Sequence, residues 1–126
     1  MAYKTPLGLS IIQVSNVDGT AAASTTIGTT EAGGRFVPLY ANIQLQSTTG
    51  FAVVASLSIG TNSTDFNNIL PITALTSVSS ANLMINVPLV AVISSVAAST
   101  AISVKITTPA TATTYVLRVT LVGWYN

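Results

Sequence analysis

The sequence contains no cysteine and no histidine. Without cysteine the chain forms no disulfide and offers no thiolate to a metal ion, and its redox environment stays undetermined. Without histidine, a histidine-based catalytic triad and a histidine-ligated metal are both excluded. The two absences remove common routes to hydrolytic and metal-dependent catalysis.

Charge is also scarce, because charged residues make up 6% of the 126 residues against about 25% in an ordinary soluble domain. The net charge is +1, and the four basic residues are scattered along the chain. Binding to nucleic acid or to anionic lipid needs several Lys or Arg side chains on one surface, so we expect no nucleic acid and no membrane as partner. Serine and threonine supply the polarity, which suits either a surface that lies against other protein or a plain Ser/Thr-rich soluble domain.

Long hydrophobic runs are missing as well. The most apolar stretch, residues 83–98, is interrupted by Asn86, Pro88 and a pair of serines, and it falls short of the ~20 apolar residues that a helical membrane span needs. The apolar run at residues 7–12 is too short for a signal peptide.

The three acidic residues, Asp18, Glu31 and Asp65, are widely separated in the sequence. Acid–base catalysis by carboxyl groups needs two of them in one site, and a Ca²⁺ loop needs several at alternating positions. Asp65 is the only carboxylate in the polar stretch at residues 62–68, where we expect hydrogen bonds from side chains to the backbone to hold a loop. The sequence therefore predicts no enzyme, no cofactor and no metal site.

Apolar and polar residues instead alternate with a period of two. Residues 102–107 and 115–122 are the clearest cases, with Ile102, Val104 and Ile106 on one face of the first segment. This alternation of β-branched residues is typical of a strand that is buried on one face. Seven or eight such segments follow one another between turn residues. The pattern predicts an all-β fold, an antiparallel β-sandwich, of which a jelly roll is one variant.

The loop-like residues 108–113 suggest a hairpin between the last two strands. We expect residues 102–107 to pair with residues 115–122 and Arg118 to lie opposite Ser103. The last strand also has apolar residues on its second face, which predicts either a central position in its sheet or an outer face that meets a neighbour.

A second hairpin is expected between residues 35–46 and residues 51–59, with Leu39 and Val53 among the inward-facing side chains. Residues 24–29 are predicted to form a short edge strand.

The length allows one domain with a real core and is too small for two. Residues 1–10 contain Pro6 and Gly8 and little that would pack alone, so we expect an N-terminal arm, followed by a single β-sandwich domain over residues 11–126.

Five residues are candidates for interfaces. Tyr3, Lys4 and Pro6 belong to the arm, which would order on a neighbouring subunit. Trp124 and Tyr125 form an aromatic pair at the other end of the chain, which either closes the core or anchors a protein–protein contact.

Four stretches resemble small structural proteins of tailed bacteriophages, and the likeness runs from residue 35 onward. They read SIGTNSTDFNNIL at residues 58–70, TALT at 73–76, TTPATATTY at 107–115 and VGWY at 122–125. The chain most resembles capsid decoration (cement) proteins. That resemblance implies a homotrimer on the capsid exterior that binds across the joints between major capsid protein subunits. The alternatives are a tail tube, fibre or baseplate component, or a receptor- or carbohydrate-binding sandwich with Asp65 and Phe66 at its cleft.

Overall fold

A computed structural model describes residues 9–89 and 95–125, and these residues form eight β-strands and no helix. The strands are β1 Leu9–Asp18, β2 Ser24–Thr29, β3 Phe36–Thr49, β4 Ser56–Gly60, β5 Leu70–Ala74, β6 Met84–Pro88, β7 Ala101–Thr108 and β8 Thr114–Tyr125. Every pairing between them is antiparallel. The predicted all-β fold and the predicted number of strands are confirmed.

The strands form two four-stranded sheets. Sheet A has the order β1–β8–β3–β6, and sheet B has the order β2–β7–β4–β5. The pairing is nested: the first strand pairs with the last, the second with the seventh, the third with the sixth and the fourth with the fifth. Only β4 and β5 are consecutive strands of one sheet, so every other connection crosses between the sheets. This winding makes the sandwich a jelly roll.

The core is made by the inward-facing side chains of the four central strands, each of them at most 1% exposed. These are Ala41, Ile43 and Leu45 of β3, Tyr115, Leu117, Val119 and Leu121 of β8, Leu57 and Ile59 of β4, and Ile102, Val104 and Ile106 of β7. Alternation gives each strand one apolar face. The two sheets remove these faces from water by packing against each other, which is why the sequence folds as a sandwich.

The two predicted hairpins are wrong, although their strands exist. β7 pairs with β2 and β4, whereas β8 pairs with β1 and β3. β3 and β4 also lie in different sheets. An alternation with a period of two shows which face of a strand is buried. It does not show whether the next strand pairs with it in the same sheet or packs against it across the core. Arg118 therefore lies opposite Gln44 of β3 and not opposite Ser103.

Two residues that were expected to face inward are exposed. Leu39 occupies a bulge in β3, where the register with β8 shifts between Pro38 and Tyr40, and Val53 lies in the connection between β3 and β4. The predicted edge position of β2 and the predicted central position of β8 are both correct.

Tyr115, which is buried between the two sheets, connects the core to a loop. Its hydroxyl donates a hydrogen bond of 2.6 Å to the carbonyl oxygen of Val78, in the connection between β5 and β6. Its ring stacks on Phe51 with 6.0 Å between the ring centroids. Burial raises the pKa of the Tyr115 hydroxyl above its ordinary value, and the neutral hydroxyl is the donor that this bond requires.

The boundary of the sandwich lies slightly earlier than the sequence suggests. β1 begins at Leu9, so Leu9 and Ser10 belong to sheet A. Residues 1–8 of the expected arm lie outside the described residues.

We expect Val119→Asp to abolish the cooperative thermal transition. Val119 is fully buried between the sheets, and an unpaired charge there costs several kcal/mol, a large share of the stability of a small domain. The control is Gln13→Asp, an exposed position on the same sheet, which should melt within a few degrees of wild type. A normal transition for Val119→Asp would show that β8 does not face this core.

Candidate interaction surface

The outer face of sheet A is built from rows of side chains that run across the strands. In one row the cross-strand neighbours are Ile11, Val122, Tyr40 and Pro88, one from each strand in sheet order. The next row towards the end of the sheet contains Leu9, Trp124 and Val37. Both rows are apolar, although they lie on the side of the sheet that faces away from the core.

Five large side chains of this region are strongly exposed: Leu9, Ile11, Leu39, Tyr40 and Trp124. We call these five residues the apolar band. Ile11 is the most exposed of them, at 65%, and it lies on the edge strand β1. Exposed apolar residues are ordinary when they are scattered, but a contiguous group marks a contact surface.

The bulge in β3 widens the apolar band. It leaves Leu39 and Tyr40, which are consecutive in the sequence, both exposed. Together with Asn86 and Pro88 of β6 they line an open depression of about 340 Å³. Bulges commonly redirect side chains in this way, and here the result is a shallow depression on the outer face of sheet A.

Beyond the band the same face becomes polar. The Thr120 hydroxyl donates to Gln13 Oε1 at 2.9 Å, and Asn42 Nδ2 donates to Asn86 Oδ1 at 2.7 Å. These four residues form a single row across the sheet. Their polar groups bond partly to one another, so this row can lie against a partner with a smaller loss of hydrogen bonds to water.

Arg118 lies one row further along the same face, between Ser15 and Gln44. Its Nε donates to Ser15 Oγ at 3.3 Å, and its Nη1 donates to Gln44 Oε1 at 3.2 Å. Both acceptors are neutral, and within residues 9–89 and 95–125 no carboxylate contacts this guanidinium. A guanidinium has five N–H donors, so several of them point to no partner in the described part of the chain.

The outer face of sheet B differs, because the loop at residues 61–68 folds back over it. Ser58 Oγ donates to the Asp65 carbonyl at 3.3 Å, and Lys105 Nζ donates to the Thr64 carbonyl at 3.1 Å. A Cβ at Gly60 would lie 2.6 Å from the Asn67 nitrogen, which shows how closely the loop approaches β4. Ser58 and Ser103 are buried on this side. The central part of sheet B is therefore already covered.

Asn62 organises this loop, as the sequence predicted. Its Oδ1 accepts hydrogen bonds from the backbone N–H groups of Asn67, at 2.9 Å, and Asn68, at 3.2 Å. Its Nδ2 donates to Asn67 Oδ1 at 2.7 Å. Asp65 takes part through its backbone carbonyl, so the polar cluster acts as structural support for the loop.

The aromatic pair at the C-terminal end is divided between the two faces of β8. Trp124 is 46% exposed and belongs to the apolar band. Tyr125 packs against the core, where its ring lies 5.3 Å from that of Phe36 and its hydroxyl accepts the Glu31 N–H at 3.0 Å. Adjacent residues of a strand point to opposite faces of the sheet. Closure of the core therefore fits the position of Tyr125, and the position of Trp124 leaves its expected role as an interface anchor a prediction.

The remaining candidates from the sequence, Tyr3, Lys4 and Pro6, lie outside the described residues. Ile11, Leu39 and Tyr40 were not singled out as surface residues. Two signals could have identified them: the consecutive pair Ile11 and Ile12, which must place one isoleucine on the outer face, and Pro38, which marked an irregularity at the start of β3.

The acidic residues show no sign of a catalytic or metal site. The hydroxyl of Thr20, at 2.6 Å, and its N–H, at 2.9 Å, bond to Asp18 Oδ1 and hold the pKa of this carboxyl below its ordinary value. Asp18 thus stabilises the turn after β1. In the described part of the chain no three His, Cys, Asp or Glu side chains are grouped as metal ligands would be. Residues 9–89 and 95–125 contain no helix long and apolar enough to span a membrane.

Neither the protein-family models nor the curated proteins contain a match to this sequence. Two solved structures share its fold over most of the chain. A chain of the cyanophage Pam1 capsid asymmetric unit aligns with a TM-score of 0.55 and 14% identity, covering 100% of this chain and 92% of that one. A chain of the capsid of Ralstonia phage GP4 aligns with a TM-score of 0.57 and 14% identity, covering 94% and 84%. At this identity the likeness establishes a common fold.

We expect Asn62→Ala to lower the free energy of unfolding by about 1–3 kcal/mol, because two backbone N–H groups of a half-buried loop lose their acceptor. Chemical denaturation measures the change, and Ser63→Ala, an exposed neighbour, should stay within about 0.5 kcal/mol of wild type. Equal stability of the two variants would mean that the loop does not depend on Asn62.

Proposed function

We propose that this chain is a structural protein of a bacteriophage virion and that it decorates the outside of the capsid. The observation that carries the proposal is the alignment, over nearly the whole chain, with chains of two phage capsids. The alignments also cover 92% and 84% of those chains. In both capsids, therefore, one chain consists almost entirely of a fold like this one. This supports the proposal that the present chain is likewise a separate accessory subunit.

The surface chemistry supports the same role. A free domain normally relies on surface charge to remain apart from other proteins, yet only 6% of these residues are charged. Hydroxyl-bearing and apolar side chains occupy surface positions that charged side chains would occupy in such a domain. Such a surface is suited to a position where most of it lies against neighbouring protein.

The mechanism is mechanical and involves no chemical step. A subunit that binds the assembled shell and not its separated parts stabilises assembly by mass action. Its partners in this proposal are the major capsid protein and further copies of the chain, arranged as a homotrimer across the joints between shell subunits. Many weakly bound copies then act together, so each contact can be modest.

The other readings have less support. A tail tube, fibre or baseplate component would share the fold class, but no contact or surface in the described residues favours one of them. A carbohydrate cleft at Asp65 and Phe66 conflicts with the structural use of that loop, which is folded against sheet B.

The proposal is tested by adding the purified chain to capsids assembled in cells that lack its gene. We expect the chain to co-sediment with these capsids in a fixed stoichiometry and to raise the temperature at which they lose their DNA. Absence of co-sedimentation at micromolar concentrations would contradict the proposal. A variant that lacks residues 1–8 should fold normally and bind more weakly if the arm reaches a neighbouring subunit.

The homotrimer is tested separately by light scattering after size exclusion. Three copies of the 12.9 kDa chain give a particle of about 39 kDa, and we expect this mass in solution or for the species released from decorated capsids. Long tubes or stacked rings would instead identify a tail component.

A further inference from the structure

We infer that the outer face of sheet A is the surface that meets the capsid shell, and that the shell presents to it an apolar patch and a carboxylate that pairs with Arg118. This inference rests on the proposed capsid role and specifies which side of the molecule carries it. It follows from three properties of the two faces: what covers them, how much apolar surface they expose, and how their charges are partnered.

The first property is coverage. The loop at residues 61–68 occupies the centre of the outer face of sheet B and bonds to Ser58 and Lys105. No corresponding segment among the described residues lies over the centre of sheet A, and its outer face exposes side chains from all four strands. Within the described residues, the outer face of sheet A is thus the one that no loop crosses, although Val122 at its centre is only 7% exposed between its larger neighbours.

The second property is the extent of the apolar band. The exposed fractions of its five side chains, taken with ~200 Å² for a large side chain, amount to on the order of 500 Å². This area is within the range of about 300–600 Å² for the largest apolar patch on a monomeric protein, and a patch of that size is often a functional surface. It is also more than half of the ~800 Å² that one partner contributes to a standard interface. The adjoining polar row, which is hydrogen-bonded internally, can supply the rest of the area.

The third property is the unmatched charge of Arg118. The guanidinium is held in place from both sides by Ser15 and Gln44, so its orientation is fixed before a partner arrives. It lies four residues along the strands from the row of Ile11 and Tyr40, roughly 13 Å away. One interface of standard size can therefore include the band and Arg118 together. A fixed guanidinium with free donors recognises a carboxylate, so the occupant we assign is a shell surface with an acidic side chain at that distance from an apolar patch.

The chain provides matched controls for both features. Ile11 and Ile72 are both isoleucines on edge strands, 65% and 63% exposed, but they belong to sheets A and B respectively. Arg118 and Lys105 are both basic residues of central strands, again on different sheets. Each pair can be changed in the same way on opposite faces of the molecule, and thermal melts show whether Lys105→Gln, which loses a bond to the Thr64 carbonyl, keeps the fold intact.

The test measures the binding of Ile11→Asp, Ile72→Asp, Arg118→Gln and Lys105→Gln to capsids assembled without the chain. We expect Ile11→Asp and Arg118→Gln to weaken binding at least about tenfold, as the loss of an interface anchor does, while the two sheet B variants bind within about twofold of wild type. Wild-type binding should weaken with rising salt, and Arg118→Gln should reduce that dependence. Thermal melts confirm that each variant is folded.

The outcomes separate this inference from the proposed function. Failure of the wild-type chain to bind capsids overturns the proposed function itself. If the wild type binds but the sheet A variants bind equally well, or the sheet B variants lose more affinity, the assigned face is wrong and the capsid role stands. Ile11→Asp could also change the mass of the free chain in solution while each copy binds capsids as tightly as wild type. The apolar band would then join copies of this chain to one another, and the assignment of the shell-binding face would be overturned.

Discussion

The packing of β7 and β4 against β8 and β3 is the interaction on which the rest of this structure depends. These four strands contribute most of the side chains that are almost completely removed from water, and none of those side chains is charged. Neither sheet can bury its apolar face alone, and the chain passes from one layer to the other at every connection except that between β4 and β5. The nested pairing that results gives a jelly roll, with the hairpin between β4 and β5 as the innermost turn of the winding.

That winding also decides which surface is left for binding. The β4–β5 hairpin carries the loop at residues 61–68. Ser58 and Lys105 hold this loop against its own sheet, and Asn62 bonds within it. Among residues 9–89 and 95–125 no such loop lies over sheet A, and large side chains of the apolar rows, such as Ile11 and Trp124, are exposed on its outer face. The proposed capsid role would account for both the exposed rows and the scarcity of charge, because a surface that lies against other protein needs few charges to keep it in solution.

The strands could be predicted from the sequence, but their partners could not. Alternation located β7 and β8 because the inward positions of each are apolar, yet Ile102 and Leu117 face the same core from opposite sheets. A sequence pattern that fits a hairpin fits this arrangement equally well. Leu39 was misplaced for a different reason: Phe36 and Pro38 are buried before the bulge and Ala41 and Ile43 after it, so the inward positions change parity, and Leu39 lies at the change. The positions of β2 at an edge and β8 at the centre were predictable, since both depend on the composition of one strand only.

Less of the candidate surface could be foreseen. Trp124 was a candidate because tryptophan and tyrosine are frequent in interfaces, although closure of the core was also an open role for the pair. Ile11 and Tyr40, in contrast, become neighbours only through the pairing of β1, β8 and β3. The isolation of Arg118 from any carboxylate in the described residues likewise depends on that pairing. This surface is formed by residues that are far apart in the sequence, so it can be recognised only once the pairing of the strands is known.

The most direct test of this account is a cryo-electron microscopy reconstruction of capsids saturated with the chain. The account predicts an eight-stranded sandwich on the outer surface of the shell, with Ile11, Tyr40 and Trp124 in contact with shell protein and an acidic side chain beside Arg118. A reconstruction in which sheet B faces the shell, or in which the shell carries no such density, would contradict it.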